Sequence, residues 1–311
     1  MAMNSNLKGR RFLSLLDLSS EEIRGVLETA GELKASPGGT NARLLEGKVL
    51  GMVFQKPSLR TRVSFEVGML QLGGHAINLA PSDIKLGARE TTEDIARVLS
   101  RYVDGIMARV FGHEVLTELA RHAGVPVING LSDFEHPCQV LGDLLTIIEH
   151  RGPLQGKHLS FLGDGNNVAH SLMFGAARMG MDMTVVCPPG FEPQERVRQL
   201  AAEISESNGA TIRVTNELRG VTASDVLYTD VWASMGQEEE AEKRREAFKR
   251  YRLDTRIVSM TGREPLIMHC LPAHYDEEIE YAASRLPSSV IFDQAENRMH
   301  AQKALLVHLM S

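Results

Sequence analysis

Short apolar runs alternate with helix-period stretches along nearly the whole chain. In the first half, runs at 49–54, 75–79, 105–110 and 125–128 read as buried strands. Helical patterns lie between them. Leu59, Val63, Val67 and Leu70 form a stripe closed by Gly73-Gly74, and Ile95, Val98, Leu99 and Tyr102 mark a second helix over 91–103. A third spans 114–123. The second half repeats the pattern, with strands expected at 159–162, 183–187, 211–214, 226–229, 266–269 and 290–292. Alternation of this kind predicts an α/β fold with parallel sheets flanked by helices. A long helix from Pro137 to about His150, followed by Arg151-Gly152-Pro153, separates the two groups of strands. It predicts two domains, 1–150 and 151–294, with a last helix over 295–311 packing back on the first. The charged run 238–245 reads as an exposed helix face.

In open parallel sheets, ligands bind beyond the carboxyl ends of the strands. The polar clusters of this chain fall there. Residues 58–61 follow the first strand, Arg109 ends the third, 164–167 follow the fifth, Asp230 the eighth, and His269-Cys270 the ninth. A cleft between the two domains would gather them into one active site.

The run Lys56-Pro57-Ser58-Leu59-Arg60-Thr61-Arg62 joins a strand to a helix. Hydroxyls and guanidiniums beside the free N–H groups and positive end of a helix suit a phosphate or similar dianion. In Asp133-Phe134-Glu135-His136-Pro137-Cys138-Gln139, Pro137 fits the first helical position. That puts His136 at the cap and Gln139 on the same edge, where an imidazole can donate to a carbonyl oxygen gaining negative charge. Gly163-Asp164-Gly165-Asn166-Asn167-Val168 invites a dinucleotide reading, but Val168 replaces the third glycine and no acidic residue ends the next strand. The two asparagines suit a carboxylate or an amino group, and a tight turn accounts equally well for Asn166. Asp230 is placed to hold an ammonium group, with Trp232 as packing. Cys270, in His269-Cys270-Leu271-Pro272, reads as a ligand-contacting or buried thiol, since no base at a defined spacing accompanies it. Glu296-Asn297-Arg298 opens the last helix and offers one more positive charge.

Bulk composition narrows the classes. At 311 residues, two domains are the default. A net charge of −6 leaves no basic excess for neutralising a nucleic acid backbone. No apolar run approaches the ~20 residues that span a bilayer, and the first residues lack the apolar core of a signal peptide. Cys138, Cys187 and Cys270 lie far apart with no C-x-x-C pair, which points to a reducing compartment, the cytoplasm, and to no zinc site.

Four of these runs, in this order, resemble the carbamoyltransferases: Ser-x-Arg-Thr-Arg, His-Pro-x-Gln, Asp-Val-Trp-x-Ser-Met-Gly and His-Cys-Leu-Pro. The last two are similar to the ornithine branch of that family rather than the aspartate branch. The resemblance implies that carbamoyl phosphate and L-ornithine are the partners and that the carbamoyl group passes to the δ-amine. It assigns carbamoyl phosphate to Ser58, Arg60 and Thr61, with Leu59 at the variable position of that run. Arg109, His136 and Arg298 join them, followed by the helix start Pro137, Cys138 and Gln139, with Gln139 accepting from the carbamoyl amide. The backbone carbonyls of Cys270 and Leu271 orient the same amide. Asn167, Asp230, Ser234 and Met235 are assigned to ornithine, with Arg60, Arg109, His136, Asp230 and Cys270 as the catalytic set. Lys85 stands where the family usually has a Gln in a loop reaching a neighbouring subunit's site. A homotrimer or a multiple of it follows from the same resemblance. No metal or cofactor is implied, and the sequence shows no cluster for a metal.

Rival acceptors are judged by charge. Aspartate would need cations for its second carboxylate, where Asp230 supplies the opposite charge. Putrescine lacks the α-carboxylate that Asn167 and the Ser-Met-Gly loop would read. Acetylornithine would need extra room in that loop. A non-catalytic scaffold would be expected to have lost an arginine, yet Arg60, Arg109 and Arg298 are all present.

Overall fold

The computed structural model describes residues 7–35, 43–84, 89–233 and 241–311. The chain divides into two compact units, Met1–Leu145 with Glu296–Ser311, and Thr146–Ala295.

In the first unit, α1 (Ser20–Ala35) precedes β1 (Val49–Phe54), α2 (Leu59–Gln71), β2 (His75–Leu79), α3 (Pro81–Ile84), α4 (Thr92–Leu99), β3 (Gly105–Arg109), α5 (His113–His122) and β4 (Val127–Leu131), followed by α6 (Pro137–Arg151), whose residues from Thr146 onward belong to the second. The strands form one parallel sheet in the order β2-β1-β3-β4. Val53, Ile106, Ala108 and Val127 pack with Ile95, Leu116 and Leu119 of α4 and α5. This burial is what turns the apolar runs into strands. The fourth strand starts two residues later than its apolar run suggests, after Pro126, which has no N–H to give a ladder. Helix α2 stops at Gln71, and Gly73 takes the left-handed turn at φ +81° that a side chain would resist.

The second unit holds β5 (His158–Leu162), α7 (Asn167–Met179), β6 (Asp182–Val186), α8 (Glu195–Asn208), β7 (Ile212–Thr215), β8 (Val226–Thr229), α9 (Ala241–Phe248), α10 (Thr255–Met260) and β9 (Leu266–His269). Its sheet is also parallel, in the order β7-β6-β5-β8-β9. The last helix, α11 (Ile291–Met310), begins in this unit, and its residues from Glu296 onward belong to the first.

Two expectations are corrected. The run 290–292 is not a strand: Ser289 makes one bridge to Ile267 and Val290 N–H donates to the Ile267 carbonyl, after which the chain turns into α11. Arg298 therefore lies two turns inside the helix instead of opening it. The charged run on α9 is not wholly exposed either, because Arg244 is buried. No helix among the described residues is long and apolar enough to cross a membrane.

Candidate active site

Each sheet has one place where the chain reverses its direction of travel across the strands. In the first sheet it lies between β1 and β3, in the second between β5 and β8. Loops diverge there and leave a crevice at the carboxyl ends of the strands.

At the first switch point, Ser58 caps α2, its hydroxyl accepting from Thr61 N–H at 3.2 Å. Thr61 is completely buried, and its Oγ1 accepts from Arg298 Nη2 and from Arg109 Nη1 at 3.4 Å. Two guanidiniums, one from the end of β3 and one from α11, thus converge on a hydroxyl at a helix start. With both lone pairs taken, the Thr61 proton is left to donate. Arg62, exposed, pairs with Glu66 one turn on, at 3.0 Å. Nothing among the described residues pairs with the half-buried Arg60 guanidinium. Leu59 is 75% exposed, so only its backbone can belong to the site. Lys56 is buried with its ammonium 4.4 Å from the centre of the Phe111 ring.

His136 and Pro137 start α6 as the sequence predicts. Burial, then the charges of Arg298 and Arg109, push the His136 imidazole well below its usual range, so it is neutral near pH 7. Gln139 is buried, its amide nitrogen donating to Asp143 Oδ1 at 2.9 Å. With the amide nitrogen turned to Asp143, Gln139 Oε1 has no partner among the described residues. The Cys138 thiol faces away from chemistry: it donates to the Asn129 carbonyl, and burial pushes its pKa up to about 12, so only the Cys138 backbone is left for a ligand at the helix start. Gly142 lets Arg298 approach, because a Cβ there would lie 2.8 Å from the Arg298 Cα.

At the second switch point, Asp230 follows β8 and is buried. One carboxylate oxygen accepts from the Cys270 thiol at 2.9 Å, the other from Asn166 Nδ2 at 2.9 Å. Asn167 is the first residue of α7 and Asn166 its cap. His269 is buried with Glu278. Leu271 N–H donates to His269 Nδ1 at 2.9 Å, which puts the ring proton on Nε2, 3.1 Å from Glu278 Oε1. This pair fixes the turn of Cys270 and Leu271, where Leu271 adopts φ +56°. Arg244 reaches from α9 to Asp164 Oδ2 at 2.8 Å and to the Trp232 carbonyl at 3.0 Å. Trp232 packs on Phe248, as the sequence reading expects.

Among the described residues, two groups of donor atoms are spaced closely enough to hold a metal, Asp230–His269–Cys270 and His274–Glu277–Glu278, where the sequence suggested no cluster. In the first, both ring nitrogens of His269 and both oxygens of Asp230 already have hydrogen-bond partners. That set is joined as a hydrogen-bond network.

The structure gathers Ser58, Thr61, Arg109, His136, Gln139 and Arg298 in one unit, and Asp230, Cys270, Leu271 and Asn167 in the other. Lys85, Ser234 and Met235 lie outside the described residues. Sequence reasoning undervalued Asn166 and missed Arg244, His269 and Glu278 as supports. The N-cap position of Asn166, directly before a helix, was the available signal.

The chain is thus an α/β protein with two arginines converging on a helix start at the switch point of one parallel sheet and a carboxylate–thiol pair at that of the other. Comparisons narrow this class. Residues 10–149 match the aspartate/ornithine carbamoyltransferase carbamoyl-P binding domain, and 155–309 the Asp/Orn binding domain of the same family. An ornithine carbamoyltransferase of Anoxybacillus flavithermus is 52% identical over 100% of this chain and 99% of its own length. The anabolic ornithine carbamoyltransferase of Pyrococcus furiosus is 50% identical over 98% of both chains. A solved structure of ornithine carbamoyltransferase from Pyrococcus furiosus superposes with a TM-score of 0.96, at 50% identity and 98% coverage of each chain. The chain belongs to the aspartate/ornithine carbamoyltransferase family.

Proposed function

We propose that this chain transfers the carbamoyl group of carbamoyl phosphate to the δ-amine of L-ornithine, giving L-citrulline and phosphate, in the direction of arginine biosynthesis. The observation that carries the reading is the convergence of Arg109 and Arg298 on the buried Thr61 hydroxyl at the start of α2, in a chain whose relatives at about 50% identity are ornithine carbamoyltransferases.

Phosphate sits on the N-terminal turn of α2, held by Ser58, Thr61, the Arg60 guanidinium and the backbone N–H groups, Leu59 included. Arg109 and Arg298 neutralise its charge. Neutral His136 donates to the carbonyl oxygen, which gains negative charge as the carbon becomes tetrahedral. Burial keeps the imidazole neutral, and the two guanidiniums add to this by opposing a third positive group beside them. Gln139 Oε1 accepts from the carbamoyl NH2, and the Cys270 and Leu271 carbonyls complete its orientation.

The δ-ammonium has a solution pKa near ~10.4 and must lose a first proton, to solvent, before it attacks. Asp230, with Cys270 beside it, holds the amine, and Asn167 reads the amino-acid end together with Ser234 and Met235. A C–N bond then forms, the C–O bond to phosphate breaks, and a phosphate oxygen takes the second amine proton. The domain assignment follows: the first unit binds carbamoyl phosphate, the second ornithine.

Exposed apolar residues Leu59, Val63 and Leu70 on α2 and Ile77 on edge strand β2 support a surface covered by another subunit, and the family resemblance makes that assembly a homotrimer or a multiple of it. Lys85 would then add its charge to a neighbour's phosphate site. Three cysteines with no disulfide between them suit the cytoplasm. The reading is tested by Arg109→Ala, which cuts citrulline formation at least a hundredfold. Near-normal turnover would break the phosphate model.

A further inference from the structure

We propose that Asn166 is a positioning residue for the acceptor amine: it couples the start of α7 to Asp230 and sets the direction in which that carboxylate points. The inference rests on the reading that Asp230 holds the acceptor.

Asn166 has no freedom to do otherwise. Its turn is jammed, because a Cβ on Gly165 would lie 2.2 Å from the Pro193 nitrogen, and Gly165 N–H donates to the Phe191 carbonyl at 2.9 Å. Its Oδ1 accepts from Val168 N–H at 3.0 Å and Ala169 N–H at 3.1 Å, capping α7. Those two donors fix which end of the amide is oxygen, so Nδ2 must face Asp230 Oδ2 at 2.9 Å. A flipped amide would set donors against donors and an oxygen against a carboxylate. Asp230 is therefore held from two sides, by the amide and by the Cys270 thiol at 2.9 Å. The same side chain serves the helix and the carboxylate, and an isosteric change can separate the two.

Asp is as good a helix cap as Asn. Asn166→Asp keeps the oxygen that caps α7 but replaces the N–H donor with an oxygen 2.9 Å from Asp230. Asn166→Ser keeps the cap and removes the donor without adding charge. Steady-state kinetics are measured for both variants, with carbamoyl phosphate and with whichever acceptor the wild-type enzyme uses best, across pH 6–9. For Asn166→Asp, KM for the acceptor rises tenfold or more while KM for carbamoyl phosphate stays within twofold. The deficit shrinks toward acid, where one proton shared by the two carboxylates restores a donor. Asn166→Ser shows a smaller deficit that does not vary with pH. The inference is overturned if the acceptor KM of Asn166→Asp is within twofold of wild type. It is equally overturned if both KM values rise together and both variants lose the same thermal stability, which is what a merely structural residue would give. Failure of the ornithine reading is seen separately, in the wild-type enzyme's preference among acceptors.

Discussion

Thr61→Val removes one oxygen from the centre of the proposed phosphate site and leaves the shape of the side chain almost unchanged. Thr61 is completely buried and accepts from Arg298 and Arg109. The Arg298 bond is charge-assisted, worth roughly 1.5–3 kcal/mol, and the Arg109 bond at 3.4 Å is long and contributes less. Valine leaves both guanidiniums short of an acceptor, so a loss of about 2–3 kcal/mol is expected. At roughly 2–4 °C per kcal/mol for units of this size, Tm falls by about 4–12 °C. The catalytic effect is distinct. The one proton Thr61 has left to give is the one assigned to phosphate, and a hydrogen bond to a charged group of roughly 1.5–3 kcal/mol makes KM for carbamoyl phosphate rise roughly ten- to a hundredfold. KM for ornithine, measured at saturating carbamoyl phosphate, stays within twofold. Thermal denaturation and initial rates of citrulline formation read both effects on one preparation. If Tm drops as expected while KM for carbamoyl phosphate is unchanged, Thr61 supports the arginines without touching substrate, and the phosphate does not lie where it is placed here.

Arg244→Met breaks a buried ion pair, leaving Asp164 with its negative charge in a site where its side chain is only 12% exposed. Urea denaturation should show a loss of about 3–5 kcal/mol, and a change below 1 kcal/mol would mean solvent reaches Asp164 freely. Acid should weaken the fold before the carboxylates titrate. Burial lowers the pKa of His136, His158, His300 and His308 below the ordinary 6.5. Above that value each is neutral folded or unfolded. As pH falls through it, the unfolded chain takes protons the folded chain refuses, so stability present at pH 7.5 is lost toward pH 5. An equal urea midpoint at pH 7.5 and 5.5 would contradict this.

Much of this architecture was legible because parallel strands covered on both faces are continuous apolar runs. The first nine runs all become strands, eight of them within a residue at either end, while the fourth starts two residues later and ends three residues later than its run. The tenth misled for the same reason. Val290-Ile291-Phe292 is as apolar as any strand, and what decides its fate is that a single bridge at Ser289 exhausts the pairing before α11 starts. Arg109 and Thr61 were legible from their strand-end positions; Arg298 was legible as one more cation at the last helix, but its partners were not, because the helix begins at Ile291 and a residue two turns inside it carries no local signal of its direction. Asn166 was underweighted because a cap and a carboxylate support look identical in sequence. Arg244 was read as solvated because its neighbours on α9 are charged, and its partner Asp164 lies 80 residues away.

This chain carbamoylates the δ-amine of ornithine. The most direct test is citrulline-type product formation from carbamoyl phosphate with ornithine, acetylornithine, putrescine and aspartate side by side under one set of conditions. Ornithine should give the highest kcat/KM by at least a hundredfold. A higher value for any of the other three would contradict the acceptor assignment.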